Sequence, residues 1–282
     1  MQRVIGGSHG KYRFLDLPDP AVALMPGVRW GSFEHALTPA FWVSQAWLQD
    51  DGGDLSFELA PTLREEVVYC LLGGHGAPAE VGLAASKRVL DALAEKADGV
   101  LGRDRIETML LEPLWVNGKL IHYRFARQRA KYLTGALEGL RHLVDEELDD
   151  LALRDALRDL PGIGPKTASW IVRNRRASDR VAILDVHIIR ACEHMGVFPR
   201  GANLARSYMD LERRFLEFCE VGGVRASVLD AVMWGTMRRL GRRMLASLID
   251  TQDCFGERLP LLQWGAGECQ ETTPSGTMAT VG

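Results

Sequence analysis

A lysine that closes a glycine-rich turn, LPGIGPK (160–166), is followed nineteen residues later by the aspartate of AILDVH (182–187). A neutral lysine amine is a nucleophile that can form a Schiff base with a sugar or carbonyl carbon. With an ordinary pKa of ~10.4, only about one such amine in a thousand is neutral near pH 7. A cleft that excludes water, beside the positive end of a helix, would lower that pKa. A carboxylate nearby can stabilise positive charge that develops at the carbon under attack. Asp185 stands directly before VHIIRA, so the residue type also suits a plain helix N-cap; capping and catalysis can coexist. Lys166 could equally bind a phosphate. His187, two residues beyond Asp185, suits orienting a neighbour or touching a phosphate.

The turn itself predicts a ligand-facing backbone. Gly162 and Gly164 have no Cβ to hold a partner off, and Pro165 suits the first turn of a helix, where no amide hydrogen is lost. The N–H groups that follow form an anion-binding surface. Trp170 lies one turn after Lys166 and shares its helix face. Asp230 and Trp234, in SVLDAVMWGTMRR, are one turn apart on a later helix. Two aromatic surfaces with a carboxylate between them could stack on a purine and accept its N–H hydrogens. Helical aromatics at this spacing also serve as core.

The run of hairpin, lysine, amphipathic helix and LDVH resembles the HhH-GPD superfamily of DNA glycosylases, sharply over about 150–240 and only in helical character over about 60–145. The resemblance implies an all-α fold: two helical subdomains flanking a DNA-binding cleft, with a helix-hairpin-helix at 151–175. It implies base excision on double-stranded DNA, with the damaged nucleotide flipped out of the stack. Lys166 would attack C1′ and permit β-elimination of the 3′ phosphate, and Asp185 would be its catalytic partner. The LD-x-x-x-W arrangement and the aromatic four residues after the lysine are similar to the archaeal-type 8-oxoguanine glycosylase/AP lyase branch. They imply a base pocket of Trp170, Asp230 and Trp234, with Gln45 adding an amide. DNA contacts would come from Gly162, Gly164, Arg175, Arg176 and His187. Two other readings stay open: a glycosylase of this fold for another or an enzymatically modified base, as in phage defence, and a non-catalytic hairpin module that only grips DNA.

The composition fits such a partner only when it is mapped along the chain. Over 282 residues the formal net charge is −3, with 46% hydrophobic and 25% charged residues. Lysine and arginine nevertheless cluster at 119–131, 164–180 and 238–243, and the compensating acid sits at 145–159. That distribution predicts one basic DNA-facing side and one acidic back. The sequence contains no apolar run of the ~20 residues that span a bilayer, and the N-terminus lacks a signal-peptide core. Five scattered cysteines suit reduced cytosolic thiols. The expectation is a cytoplasmic, nucleoid-associated monomer with no membrane partner. Cys254 and Cys269 lack the partners a [4Fe–4S] cluster needs, so no metal and no cofactor is expected, apart from a monovalent cation that the resemblance would place at the carbonyls of Leu160 and Ile163.

The elements that must position these residues are mostly helical. Residues 1–60 form an N-terminal segment, broken by prolines and irregular at first, with a short strand at 54–59. A glycosylase domain follows over 61–264. Thr62-Leu-Arg-Glu65 is a capping box that opens a helix running to the Gly73-Gly74 break. Helical periodicity continues over 83–97, 106–114, 125–144, 151–160, 166–175, 186–195, 203–219 and 224–240. GGHGAP (73–78) is a helix break beside the cleft. The small, polar stretch 265–282 predicts a disordered tail.

Overall fold

The computed structural model describes residues 1–8, 11–50, 57, 59–73, 76–96 and 100–240. Most of the strand expected at 54–59, the cysteines at 254 and 269, the arginines at 242 and 243, and the tail at 265–282 lie outside the described residues.

Ten α-helices dominate the described chain: α1 (Pro39–Gln49), α2 (Leu63–Leu72), α3 (Ala79–Ala94), α4 (Arg103–Leu111), α5 (Ala126–Gly139), α6 (Asp150–Arg158), α7 (Pro165–Arg176), α8 (Val186–Met195), α9 (Leu204–Gly222) and α10 (Ala226–Arg239). Local chemistry sets many of their ends. Thr62 and Glu65 form the reciprocal capping box of α2, Thr38 caps α1 with Pro39 behind it, and Gly196 ends α8 in the left-handed conformation that glycine adopts most easily.

Three two-stranded hairpins, none at the place where a strand was expected, and two short 3-10 helices (Leu140–His142 and Asp145–Glu147) complete the described elements. The N-terminus, expected to be irregular, pairs β1 (Gln2–Ser8) with β2 (Lys11–Leu17), in register from Gln2↔Leu17 to Ser8↔Lys11. Arg13 pins this hairpin to α1 by donating to the carbonyls of Trp47, Leu48 and Asp50. Next come β3 (Ala23–Met25) and β4 (Val28–Arg29). The helix expected to reach residue 114 stops at Leu111, two residues before Pro113, and the chain turns into β5 (Leu114–Val116) and β6 (Lys119–Ile121). Asn117 and Gly118 join them with φ of 51° and 76°, as a two-residue hairpin turn requires.

Among the described residues there are two hydrophobic cores. One is built from a continuous stretch, Val67 to Val181, and the other joins the N-terminal residues Val4–Ala46 to Ala182–Met237. The division between them falls at Val181 and Ala182, between the helix that carries Lys166 and the one that begins after Asp185. The two cores therefore divide along the segment that separates Lys166 from Asp185. Among the described residues, no helix is long and apolar enough to cross a membrane.

Candidate active site

The helix-hairpin-helix consists of α6, the turn at 159–164 and α7. Gly162 has φ +80°, and a Cβ there would stand 2.5 Å from the Tyr132 side chain on α5, so this glycine is required from inside the fold. Gly164 differs. Its φ of −88° and ψ of 177° suit any residue, and a Cβ would meet nothing within 4 Å. No side chain caps α7, so its first-turn amides, which have no intrahelical acceptor, are presented beside an open stretch of backbone. That is the geometry of an anion site at a helix N-terminus.

Lys166 begins the face of α7 turned toward the second subdomain and is half-buried. Burial draws its pKa below the usual lysine value, and the negative charge of Asp185 acts in the opposite direction. Asp185 is the N-cap of α8. Its Oδ1 accepts from the backbone N–H of His187 at 2.8 Å and of Ile188 at 3.1 Å, which leaves Oδ2 outside the cap. Both expected roles of Asp185 are thus sterically compatible. His187 contributes its backbone to the cap, and its side chain is half-buried.

The structure places the expected pocket residues unequally. Trp170 packs on the first core, and its ring edge comes to 3.7 Å of where a Cβ on Gly73 would stand. Trp234, on α10 of the other core, is 42% exposed. Arg238 lies over its ring at 5.1 Å and reaches Glu80 of α3 at 3.5 Å, a contact that joins the two subdomains. Gln45 is half-buried on α1, which packs against α10. Asp230 does not join them. It is 1% exposed, with Oδ1 3.0 Å from Arg173 and Oδ2 accepting from the N–H of Ile183 at 3.0 Å. Burial pushes its pKa up to about 6 despite the guanidinium. In this arrangement the carboxylate is engaged by groups of the protein itself.

Arg175 and Arg176 also depart from the expectation of a phosphate-facing pair. Arg175 donates to the carbonyls of Ala60 and Pro61. Arg176 donates to the carbonyls of Asp145 and Leu148 and pairs with Asp150 at 3.1 Å. Both guanidiniums are taken up by the protein's own acceptors. The neighbouring Asn174 donates to buried Glu66 of α2 at 2.7 Å, a residue whose role the sequence did not suggest, since a glutamate in the first turn of a helix is ordinarily solvated. Among the described residues, no group of three or more His, Cys, Asp or Glu side chains could hold a metal ion. At the hairpin, the carbonyl of Leu160 accepts from Ile163 at 3.2 Å.

A family model described as 8-oxoguanine DNA glycosylase matches residues 60–224. The 8-oxoguanine DNA glycosylase/AP lyase of Picrophilus torridus is 29% identical over 178 residues, which cover 61% of this chain and 78% of that one. The protein of the same name from Saccharolobus solfataricus is 30% identical over 125 residues, 41% of this chain and 60% of that one. Among solved structures, the 8-oxoguanine DNA glycosylase of Methanocaldococcus jannaschii is 28% identical with a TM-score of 0.48, covering 61% of this chain and 76% of that one. That of Thermotoga maritima is 23% identical with a TM-score of 0.48, covering 70% and 86%. The matched family span begins after the β1–β2 hairpin and α1.

Proposed function

The chain belongs to the 8-oxoguanine DNA glycosylase family, and from that premise we propose that it excises 8-oxoguanine from duplex DNA and cleaves the strand at the resulting abasic site. The observation that carries the assignment of roles is the placement of a half-buried lysine with a lowered pKa at the junction of two subdomains, within the field of Asp185.

In the first step the hairpin amides and the open backbone at Gly164 hold a phosphate. The target base leaves the stack and enters the space flanked by Trp170 and Trp234, where ring faces replace the stacking it has lost. The neutral amine of Lys166 donates its lone pair to C1′ as the bond from C1′ to the base breaks. The base departs with the electrons of the broken bond and takes up a proton, and the attached amine gives one up. Asp185 Oδ2 stabilises the positive charge that develops on the sugar. Ring opening then gives a Schiff base between Lys166 and C1′; loss of a C2′ proton expels the 3′ phosphate. A monovalent cation at the Leu160 and Ile163 carbonyls would supply a further link to backbone phosphate. All the groups in this scheme come from one chain, which supports action as a monomer.

Borohydride reduction during incubation with a panel of lesion duplexes tests the proposal. A covalent adduct with 8-oxoguanine DNA is the expected result. If the protein traps on preformed abasic sites but on 8-oxoguanine opposite no partner base, the lyase assignment stands and the lesion assignment fails in favour of a different or modified base.

A further inference from the structure

The segment between the two catalytic positions is held in an unusual way. Residues 181–184 lead into Asp185 and belong to neither a helix nor a strand. Val181, Ala182 and Leu184 are fully buried, so the backbone amides there need partners. Side chains provide them one after another. Ala182 N–H donates to Glu212 Oε1 at 3.0 Å, Ile183 N–H to Asp230 Oδ2 at 3.0 Å, and Leu184 N–H to Tyr208 Oη at 3.2 Å. Tyr208 Oη in turn donates to the carbonyl of Ala182 at 2.8 Å.

The two carboxylates do more than satisfy amides, because each also holds α7. Glu212 Oε1 accepts from Ser169 Oγ at 2.7 Å, and Asp230 Oδ1 faces Arg173 at 3.0 Å. Ser169 and Arg173 are three and seven residues beyond Lys166, on the same side of the helix. Each carboxylate therefore ties one side chain on the lysine helix to one amide of the segment that ends at Asp185. Glu212 also binds Arg154 of α6 at 3.1 Å, which brings the other helix of the hairpin into the same clamp.

Resting on the function proposed above, we propose that Glu212 and Asp230 are positioning residues, buried clamps that set the distance between Lys166 and Asp185. Apolar residues would fill these sites at lower desolvation cost; burial raises the pKa of both carboxylates above the usual range. What apolar residues could not do is fix α7 and the 182–184 backbone relative to one another. Small displacements of reacting groups have large effects on rate, so the clamp acts on chemistry without touching substrate.

Ser169→Ala removes one arm of the Glu212 clamp and leaves a small residue in a buried site. The expected result is a fall of about tenfold in the single-turnover rate of borohydride trapping on a preformed abasic site, with duplex Kd within about twofold of wild type. Glu212→Gln, whose amide oxygen can keep the bonds from Ser169 and Ala182 while losing that from Arg154, should retain more of the rate than Glu212→Met. Asp230→Asn should slow 8-oxoguanine excision and abasic-site trapping by the same factor. A loss confined to the base-containing substrate would overturn the clamp role of Asp230 and put it at the base. A second readout needs no turnover. NMR titration of the Lys166 amine in the free protein should show that Asp185→Asn lowers its pKa, and that this drop is smaller in the Ser169→Ala background. An undiminished drop, with only Tm reduced, would overturn the positioning role. If wild type traps no DNA at all, the proposed function fails, while the NMR coupling still decides the clamp.

Discussion

In its first half, Pro165–Trp170, α7 carries uncapped amides and the half-buried Lys166 and Trp170, with Ser169 turned inward to Glu212; in its second half, Ile171–Arg176, every polar side chain turns back into the protein. Arg173 meets Asp230, Asn174 meets Glu66, Arg175 meets the carbonyls of Ala60 and Pro61, and Arg176 meets those of Asp145 and Leu148. The two halves have similar polarity in the sequence, and what separates them is the presence of internal acceptors. A cation that finds carbonyls and carboxylates within its own fold organises that fold, whereas one left at an open cleft is available for a substrate. Substitution of Lys166 should thus alter chemistry at little cost in stability, and substitution of Arg175 or Arg176 should do the reverse.

The largest effect that would sharpen this contrast is expected at Asp185, which works with the first half. Asn caps helices about as well as Asp, so Asp185→Asn should keep a near-native Tm while excision falls about a hundredfold or more. The sign of the accompanying pH effect is fixed. The carboxylate favours the charged form of Lys166, so its removal should move the rising limb of Schiff-base formation to lower pH. A rate held near wild type together with a large loss of Tm would reduce Asp185 to its cap. Next is Trp234→Ala, expected to slow 8-oxoguanine excision by about tenfold or more, in keeping with the ~1–3 kcal/mol of a base stacked on an aromatic ring. Cleavage of a preformed abasic site, which has no base to stack, should barely change. Equal losses on both substrates would move Trp234 out of the pocket.

Arg176→Ala tests the second half. It leaves the carbonyls of Asp145 and Leu148 and the Asp150 carboxylate without their donor, a loss of about 2 kcal/mol and hence a Tm lower by about 5 °C in a chain of this size. The salt dependence of DNA binding should stay as in wild type; a flatter slope would return Arg176 to the phosphate face. The smallest effect on stability is expected from Lys166→Met, which removes the nucleophile. Desolvation of the ammonium costs stability in full below the lowered folded pKa, and the cost disappears as pH rises through the ordinary lysine value. Met should therefore raise Tm by about 2–4 °C at neutral pH, an advantage that fades toward pH 10. A lower Tm would mean that the charge of Lys166 is a net support to the fold.

How much of this was legible depended on whether the signal was local. The capping box at Thr62 and Glu65, the proline at the start of α7 and the cap at Asp185 each act within one helical turn, and the sequence displayed them. The β5–β6 hairpin carried its own sign in Asn117-Gly118, which helical periodicity running toward residue 114 masked. The β1–β2 hairpin was hidden by Gly6 and Gly7, which resemble a break but lie in a strand; Gly6 packs against Trp47 and Leu48 of α1, so closely that a Cβ would stand 2.7 Å from Leu48. Asp230 shows the limit of face arguments. One turn separates it from Trp234, yet residues 226–230 are buried all round the helix, whereas beyond them α10 turns Met233 and Met237 into the core and leaves Trp234 42% exposed. Depth along a helix decided that contrast, and spacing reports only the face. The acceptors of Arg175 and Arg176 lie 26 to 115 residues away in sequence, where no local pattern could reveal them.

The central claim is that the amine of Lys166 is the group that attacks DNA. Digesting the borohydride-trapped complex and identifying by mass spectrometry the residue that bears the reduced sugar adduct tests it most directly. The account predicts the adduct on Lys166, with no trapped species for Lys166→Gln although that variant still binds duplex. An adduct on the N-terminal amine or on another lysine, or trapping that persists in Lys166→Gln, would contradict it.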